Sequence, residues 1–365
     1  MSNFVILCGG TGGHLAPGLA VGQALIKSGH KATFVISRKQ VDARLVEKYK
    51  GLDVVRAPGI AFSKNPLKIL KFFSELRAAV AFGKKILADQ KCDAVISFGG
   101  FNSLGVSIAA ALSHTPLVLH EANRKPGKAT LFLGRFAKRI YVPYGVKISR
   151  RKTGLVKYAG YPIRAEIKKI PSDDAKEMFG FEPSARILLM LGGSQGAASL
   201  NEWANHNFEK LADENIDVLC VCGPGKDNFR SRAVKNAEGV IRKLKYLEFC
   251  DNMAAALSAS EVVVARAGAG TIAELARCRV PSAIVPYPFA ADNHQLENAK
   301  CFEKQGGCVV VEQKNLHKLF DEVKELFVNG RLRDNMKKNL ARVDDLNDTS
   351  KIVKDLEKIA RGDGE

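Results

Sequence analysis

The feature that most constrains this chain is a strand, glycine loop and helix in unbroken succession, which restarts past the middle of the sequence. Phe4 to Cys8 is a short apolar run ended by glycine. It is too short for a lone buried helix and reads as a strand of a parallel sheet covered on both faces. Gly9-Gly-Thr-Gly-Gly13 carries almost no side chain, so the backbone turns sharply and a ligand or another segment comes close. A helix follows, with Pro17 expected in its first turn and Leu19, Ala20, Ala24 and Leu25 facing a sheet. Arg186 to Leu191 repeats the strand and Gly192-Gly-Ser-Gln-Gly196 repeats the loop.

Each half then continues in βαβ alternation. In the first, strands are expected at Lys31 to Ile36, Leu52 to Ala57, Ala94 to Phe98, Leu117 to Leu119, Ile140 to Val142 and Val156 to Ala159. In the second they are expected at Val218 to Cys222, Val262 to Ala265 and Ala283 to Pro286. Each half carries a second glycine loop, at Gly99-Gly100 and at Gly268-Ala-Gly270. The pattern predicts an α/β protein of two similarly built domains, each a doubly wound parallel sheet, facing one another across a cleft. A length of 365 residues suits two cores. The boundary is placed at 162, giving domains 1–162 and 163–342. Amphipathic helices in the last 35 residues, with Leu332, Met336, Leu340, Val343, Ile352, Leu356 and Ile359 on their apolar side, close the second domain, and the helix at about 343–365 crosses back onto the first.

Composition narrows the partners. Lys and Arg exceed Asp and Glu by 56 to 38, a net +18, which asks for a polyanionic partner: nucleic acid, anionic lipid or a phosphorylated substrate. Nucleic acid has the weakest case, with 7% aromatics and no recognition motif. The eight cysteines contain no CxxC pair and read as reduced core residues, and no His, Cys, Asp and Glu cluster has metal-ligand spacing, so no metal is expected. With neither a basic leader nor an apolar run approaching 18 residues, the reading is cytoplasmic.

Candidate chemistry gathers at the loops. The mouth of the first helix points free N–H groups at whatever occupies the crevice. His14 there has two readings, a hydrogen-bonding cap or a general base kept neutral by the helix dipole. His120-Glu-Ala-Asn123 lies at a strand's carboxyl end, so Glu121 and Asn123 are either site residues or anchors of the loop backbone. Ser194, Gly268 and Thr271 offer donors to a diphosphate. Glu274 is either an acceptor for ribose hydroxyls or a solvated helix residue. Tyr287 to Asn298 is a polar cluster suited to sugar hydroxyls. Leu67 to Ala88 reads as a helix with a core stripe of Ile69, Phe72, Phe73, Leu76, Val80 and Leu87. Leu67, Leu70 and Phe82 fall outside that stripe among Lys64, Lys68, Lys71, Lys84 and Lys85, a pattern that suits either an anionic membrane surface or an ordinary solvated face.

Gly9-Gly-Thr-Gly-Gly-His14, His120-Glu-Ala-Asn123, Gly160-Tyr-Pro-Ile-Arg164, Gly192-Gly-Ser-Gln-Gly-Ala197, Asp251-Asn-Met-Ala-Ala-Ala256 and Arg266-Ala-Gly-Ala-Gly-Thr-Ile-Ala-Glu274, with Pro286 to Ala299, resemble in order and spacing the MurG family. These are the bacterial UDP-N-acetylglucosamine transferases that convert lipid I into lipid II in peptidoglycan synthesis. The resemblance implies a GT-B fold of two Rossmann-like domains, the lipid acceptor held by the first and the nucleotide sugar mainly by the second. It implies that Thr11, Gly12, Gly13, Asn123, Arg164, Ser194, Cys250, Ala269, Gly270, Thr271, Ile272, Ala273, Glu274 and Gln295 contact the donor, with Glu274 on the ribose and Asn298 near the sugar. It implies an inverting, metal-independent transfer with no cofactor, His14 as base and Glu121 as reserve. The implied partners are UDP-N-acetylglucosamine, lipid I, the anionic cytoplasmic face of the cell membrane and proteins of cell-wall synthesis, with no nucleic acid. Tyr161 stands where the family usually has Asn, Ala122 where it often has Gln, and Cys250 where it has Ile. The rival expectations are another GT-B lipid transferase, such as one acting on diacylglycerol, and a non-catalytic membrane or anion-binding protein.

Overall fold

A computed structural model describes residues 1–38, 46–58, 69–148, 155–226 and 228–363. The chain divides into two units, one of residues 1–164 and 346–365, the other of residues 165–345.

The first unit holds a sheet of seven strands: β1 Asn3–Leu7, β2 Lys31–Ile36, β3 Asp53–Arg56, β4 Ala94–Ser97, β5 Leu117–His120, β6 Arg139–Val142 and β7 Val156–Tyr158, in spatial order β3-β2-β1-β4-β5-β6-β7. Every pairing is parallel. Side chains alternate across a strand, so β1 divides its residues between two cores. Phe4 and Ile6 pack with Phe34, Leu19 and Leu25 on one face, and Val5 and Leu7 with Val95, Leu87 and Val106 on the other. Helix α1, Gly12–Lys27, covers the first face. Pro17 is its sixth residue, in the second turn and not the first. The other face carries α2, Ile69–Asp89, and α3, Leu104–Leu112.

The buried face of α2 differs from the expected core stripe. Phe73, placed in the stripe, is 60% exposed, and Phe82, placed outside it, is half-buried against the core. Small residues decide the rotation: a Cβ on Gly83 would stand 2.7 Å from Ala109 Cβ, and one on Gly105 2.4 Å from Ala79 Cβ, so the two helices touch backbone to backbone. Contact at that distance outweighs burial of one phenylalanine. Lys64, Leu67 and Lys68 lie outside the described residues, and Leu70 is 81% exposed.

The second unit repeats the plan with β8 Arg186–Leu191, β9 Ile216–Val221, β10 Arg232–Lys235, β11 Ile241–Leu247, β12 Val262–Ala265, β13 Ser282–Ile284 and β14 Val309–Val310, in order β10-β11-β9-β8-β12-β13-β14. Only the β10–β11 pairing is antiparallel. Trp203, Phe208 and Leu211 of one helix, α4 Ala198–Asp213, and Leu319, Val323 and Phe327 of another, α5 Leu319–Val328, fill one core with Leu188, Val218 and Val264. The last helix, α6 Thr349–Ala360, belongs to the first unit, where Ile352, Val353, Leu356 and Ile359 join the core beneath α1. There Asp355 accepts hydrogen bonds from Arg139 Nε at 3.1 Å, Tyr141 Oη at 2.6 Å and Lys157 Nζ at 2.6 Å. All eight cysteines are free thiols, six of them buried. Burial pushes the thiols of Cys92 and Cys278 up to about 12. Among the described residues no helix is long and apolar enough to cross a membrane, and no three His, Cys, Asp or Glu side chains are grouped to hold a metal ion.

Candidate active site

In the first unit the loops at the carboxyl ends of β1 and β5 carry Thr11, Gly12, Gly13, His14, Glu121 and Asn123, and the loop after β4 borders His14. Thr11 is the extended residue that opens α1, and its carbonyl accepts from the N–H groups of His14 and Leu15, each at 3.0 Å. No side chain caps this end, so the amides of Gly12 and Gly13 are left for a ligand. Thr11 Oγ1 lies 3.2 Å from His14 Nδ1. The imidazole is half-buried against the loop after β4. Gly99 and Gly100 hold φ of 96° and 86°, conformations that favour glycine, and a Cβ there would come within 3.5 Å of His14 Nε2 and 3.2 Å of His14 Nδ1. The two glycines therefore shape a slot for the ring. An imidazole placed beside Thr11 in this slot can, in its neutral form, take a proton from a hydroxyl delivered to it.

Glu121 is placed differently. Its buried carboxylate accepts four hydrogen bonds, from Asn123 N–H at 3.0 Å and Asn123 Nδ2 at 3.2 Å, from Gly127 N–H at 2.8 Å and from Thr130 Oγ1 at 2.8 Å. This is the loop-anchoring role, and it fixes Asn123 at the rim. Neighbouring His120 is 2% exposed. Burial lowers its pKa to about 4, so the ring is neutral at pH 7; Nε2 lies 3.2 Å from the Gly160 carbonyl. Arg164 directs Nη1 to the Tyr49 hydroxyl at 3.2 Å.

The second unit forms its own loop cluster at the carboxyl ends of β8, β12 and β13. Ser194 is half-buried in the loop between β8 and α4. Gly268 opens a helix, α7 Ala269–Cys278, without a side-chain cap, so Ala269, Gly270 and Thr271 present free amides at its mouth. Ala273 is buried, while Ile272 and Glu274 are half-buried in its first turns. Cys250 is buried. Gln295 Oε1 accepts from Tyr287 N–H at 2.9 Å, and buried Asn298 donates to the Ala267 carbonyl at 3.1 Å, so both amides hold the loops that border the site.

Sequence reasoning passed over the part played by Arg266. Its guanidinium is buried, donating to the carbonyls of Val285 at 3.1 Å and Pro286 at 3.3 Å, to Ser199 Oγ at 3.0 Å and to Gln313 Oε1 at 2.6 Å, with its Cζ 5.5 Å from the Tyr287 ring centroid. The signal available was a single arginine ending an apolar strand directly before a glycine loop. Such a cation, held by neutral acceptors, favours an anion at the neighbouring helix mouths.

Residues 4–142 match the glycosyltransferase family 28 N-terminal domain and residues 187–355 the C-terminal domain of the same family. A protein of Opitutus terrae named UDP-N-acetylglucosamine--N-acetylmuramyl-(pentapeptide) pyrophosphoryl-undecaprenol N-acetylglucosamine transferase is 42% identical, the match spanning 100% of this chain and 97% of that protein. A namesake from Aquifex aeolicus is 34% identical over 91% of this chain and 94% of its own. The crystal structure of Acinetobacter baumannii MurG aligns over 98% of this chain and all of its own with a TM-score of 0.70 at 22% identity, which establishes the two-domain GT-B fold. A putative UDP-N-acetylglucosamine 2-epimerase from Listeria monocytogenes reaches the same TM-score at 14% identity, so fold alone does not choose the reaction. With both domain models matched and full-length relatives of 42% and 34% identity, the chain belongs to glycosyltransferase family 28, in the group of the UDP-N-acetylglucosamine--N-acetylmuramyl-(pentapeptide) pyrophosphoryl-undecaprenol N-acetylglucosamine transferases.

Proposed function

We propose that this chain transfers N-acetylglucosamine from UDP-N-acetylglucosamine to the 4-hydroxyl of the muramyl sugar of lipid I, giving lipid II. The observation that carries the reading is the full-length match to relatives bearing that activity in their name. Residues 1–162, with the C-terminal helix, serve the acceptor, and residues 163–342 serve the donor. The muramyl hydroxyl attacks the anomeric carbon from the face opposite the leaving group, so configuration inverts. His14 takes its proton, supported by Thr11 and the Gly99-Gly100 slot. Glu121 positions Asn123 and is not the base. Ser194, the amides of Ala269 to Thr271 and the charge of Arg266 receive the diphosphate of the departing UDP, Glu274 accepts from the ribose, and Gln295 and Asn298 hold the sugar loop. These helix mouths supply the positive potential that a cation supplies elsewhere, so the transfer proceeds without a metal.

The enzyme works at the cytoplasmic face of the cell membrane, bound at its surface. Leu70 and Phe73 give the start of α2 an exposed apolar tip, with Lys71 between them paired to Glu75 at 3.8 Å, and the relatives' named acceptor carries an undecaprenol chain. Partnership with other proteins of cell-wall synthesis accompanies this placement.

UDP release by the purified protein, in EDTA, tests the reaction. Release that depends on a lipid I analogue is expected. Release with diacylglycerol but not lipid I would overturn the acceptor, silence with both would leave a binding protein, and release that needs an added divalent cation would overturn the metal-free step.

A further inference from the structure

The first turns of α1 contain a gap in hydrogen bonding that the sequence itself specifies. In an α-helix the carbonyl of residue i accepts from the N–H of residue i+4. Four residues after Gly13 stands Pro17, inside α1, which has no N–H and whose ring presses against that carbonyl. The Gly13 carbonyl accepts a hydrogen bond from the Tyr161 hydroxyl at 3.3 Å. With glycine at 12 and 13, little else in the local chain resists tipping of that peptide plane.

Tyr161 is itself firmly held. It is 7% exposed, and its ring stands edge-on to His120 with centroids 6.4 Å apart and planes at 78°. Its backbone N–H donates to Asn347 Oδ1 at 2.8 Å. The chain leaves the first unit after Arg164 and re-enters it at Leu346, so Tyr161 and Asn347 sit beside the two crossings. A Cβ on Gly160 would lie 2.2 Å from the Leu346 carbonyl oxygen, which shows that the crossing segments are in direct contact. One side chain thus ties the crossings to the turn that carries His14.

We propose that Tyr161 is a positioning residue for the transfer, its hydroxyl standing in for the N–H that Pro17 lacks and so fixing the Gly12–His14 turn. The inference rests on the reading of that turn as the place where the acceptor is activated.

A four-protein cycle tests it: the parent chain, Tyr161→Phe, Pro17→Ala and the double variant, assayed for UDP release at a temperature where melting curves show all four folded. Phenylalanine keeps the ring against His120 and removes only the hydroxyl. Tyr161→Phe is expected to lower kcat about five- to tenfold, with KM for UDP-N-acetylglucosamine changed less than about twofold. Pro17→Ala restores an N–H to the Gly13 carbonyl, so in that background the same change is expected to cost less than about twofold. A Tyr161→Phe protein as active as the parent, or an equal loss in both backgrounds, would overturn the proposal. His14→Ala assayed alongside separates the two levels: if His14→Ala fails and Tyr161→Phe is unimpaired, only the positioning role is wrong, whereas an unimpaired His14→Ala removes the reading beneath it.

Discussion

His14 and Glu121 stand at the same edge of the first sheet, and their surroundings give them opposite roles. The imidazole lies beside Thr11 Oγ1 in a slot of glycines, whereas the carboxylate is engaged by four donors. Replacing His14 by Ala should lower kcat by about 10²-fold or more and leave UDP affinity within about twofold, measured by turnover and by calorimetric titration. Replacing Glu121 by Ala leaves buried donors unpaired and should destabilise the first unit by about 1–3 kcal/mol in urea unfolding. A Glu121→Ala protein as stable as the parent would remove the anchoring account. His120 adds a pH signature. Burial keeps its folded pKa near 4, below the unfolded value near 6.5, so the unfolded chain binds its proton first. The stability contributed by neutral His120 is therefore complete above about pH 6.5 and is lost as pH falls towards 4, a slope that His120→Gln should flatten. The sequence displayed the His14 loop because glycine runs are visible without tertiary contacts. It left two readings for Glu121, since its partner Thr130 is supplied by the next helix, Lys128–Leu133.

Elements were legible where a single environment dictated their residues. Strands β1, β4, β8 and β12 are buried on both faces and read as uniform apolar runs. β10 and β11 were missed because Arg232, Lys235, Arg242, Lys243 and Lys245 interrupt any such run. The face of α2 was misread because its packing is set by Ala79 and Gly83, whose small size is an attraction only when Gly105 and Ala109 oppose them. The corrected face places Leu70 and Phe73 outward, so Leu70→Ser with Phe73→Ser should reduce binding to anionic vesicles at least about tenfold in flotation at low salt. Unchanged flotation would remove α2 from the membrane contact. The hold on α6 depends on Asp355. Burial disfavours its charge, yet Lys157, Tyr141 and Arg139 outweigh that cost and hold its carboxyl below the usual range. Its contribution is present above the ordinary carboxylate pKa of about 3.9 and lost as pH falls through its own lower value. Asp355→Ala removes a buried acceptor shared by Arg139, Tyr141 and Lys157 and should cost the first unit about 3–5 kcal/mol in urea unfolding.

At the scale of the whole molecule, the restarting strand and glycine loop already specified two Rossmann-like units, because a parallel sheet with helices on both faces has few alternatives to the doubly wound order. What the sequence reading did not anticipate were long-range ties such as Tyr161 to Gly13 and Arg266 to Gln313, which join residues 148 and 47 positions apart. Those ties set the exact placement of a site whose loops are visible by inspection. The same fold hosts an epimerase-like relative, so the chemistry must be read from the product. The most direct measurement is the bond formed when the purified protein, in EDTA, is given UDP-N-acetylglucosamine and a lipid I analogue. Nuclear magnetic resonance should show one new β-linked N-acetylglucosamine on the muramyl 4-oxygen. An α linkage, or attachment at another oxygen, would contradict direct displacement at the site described.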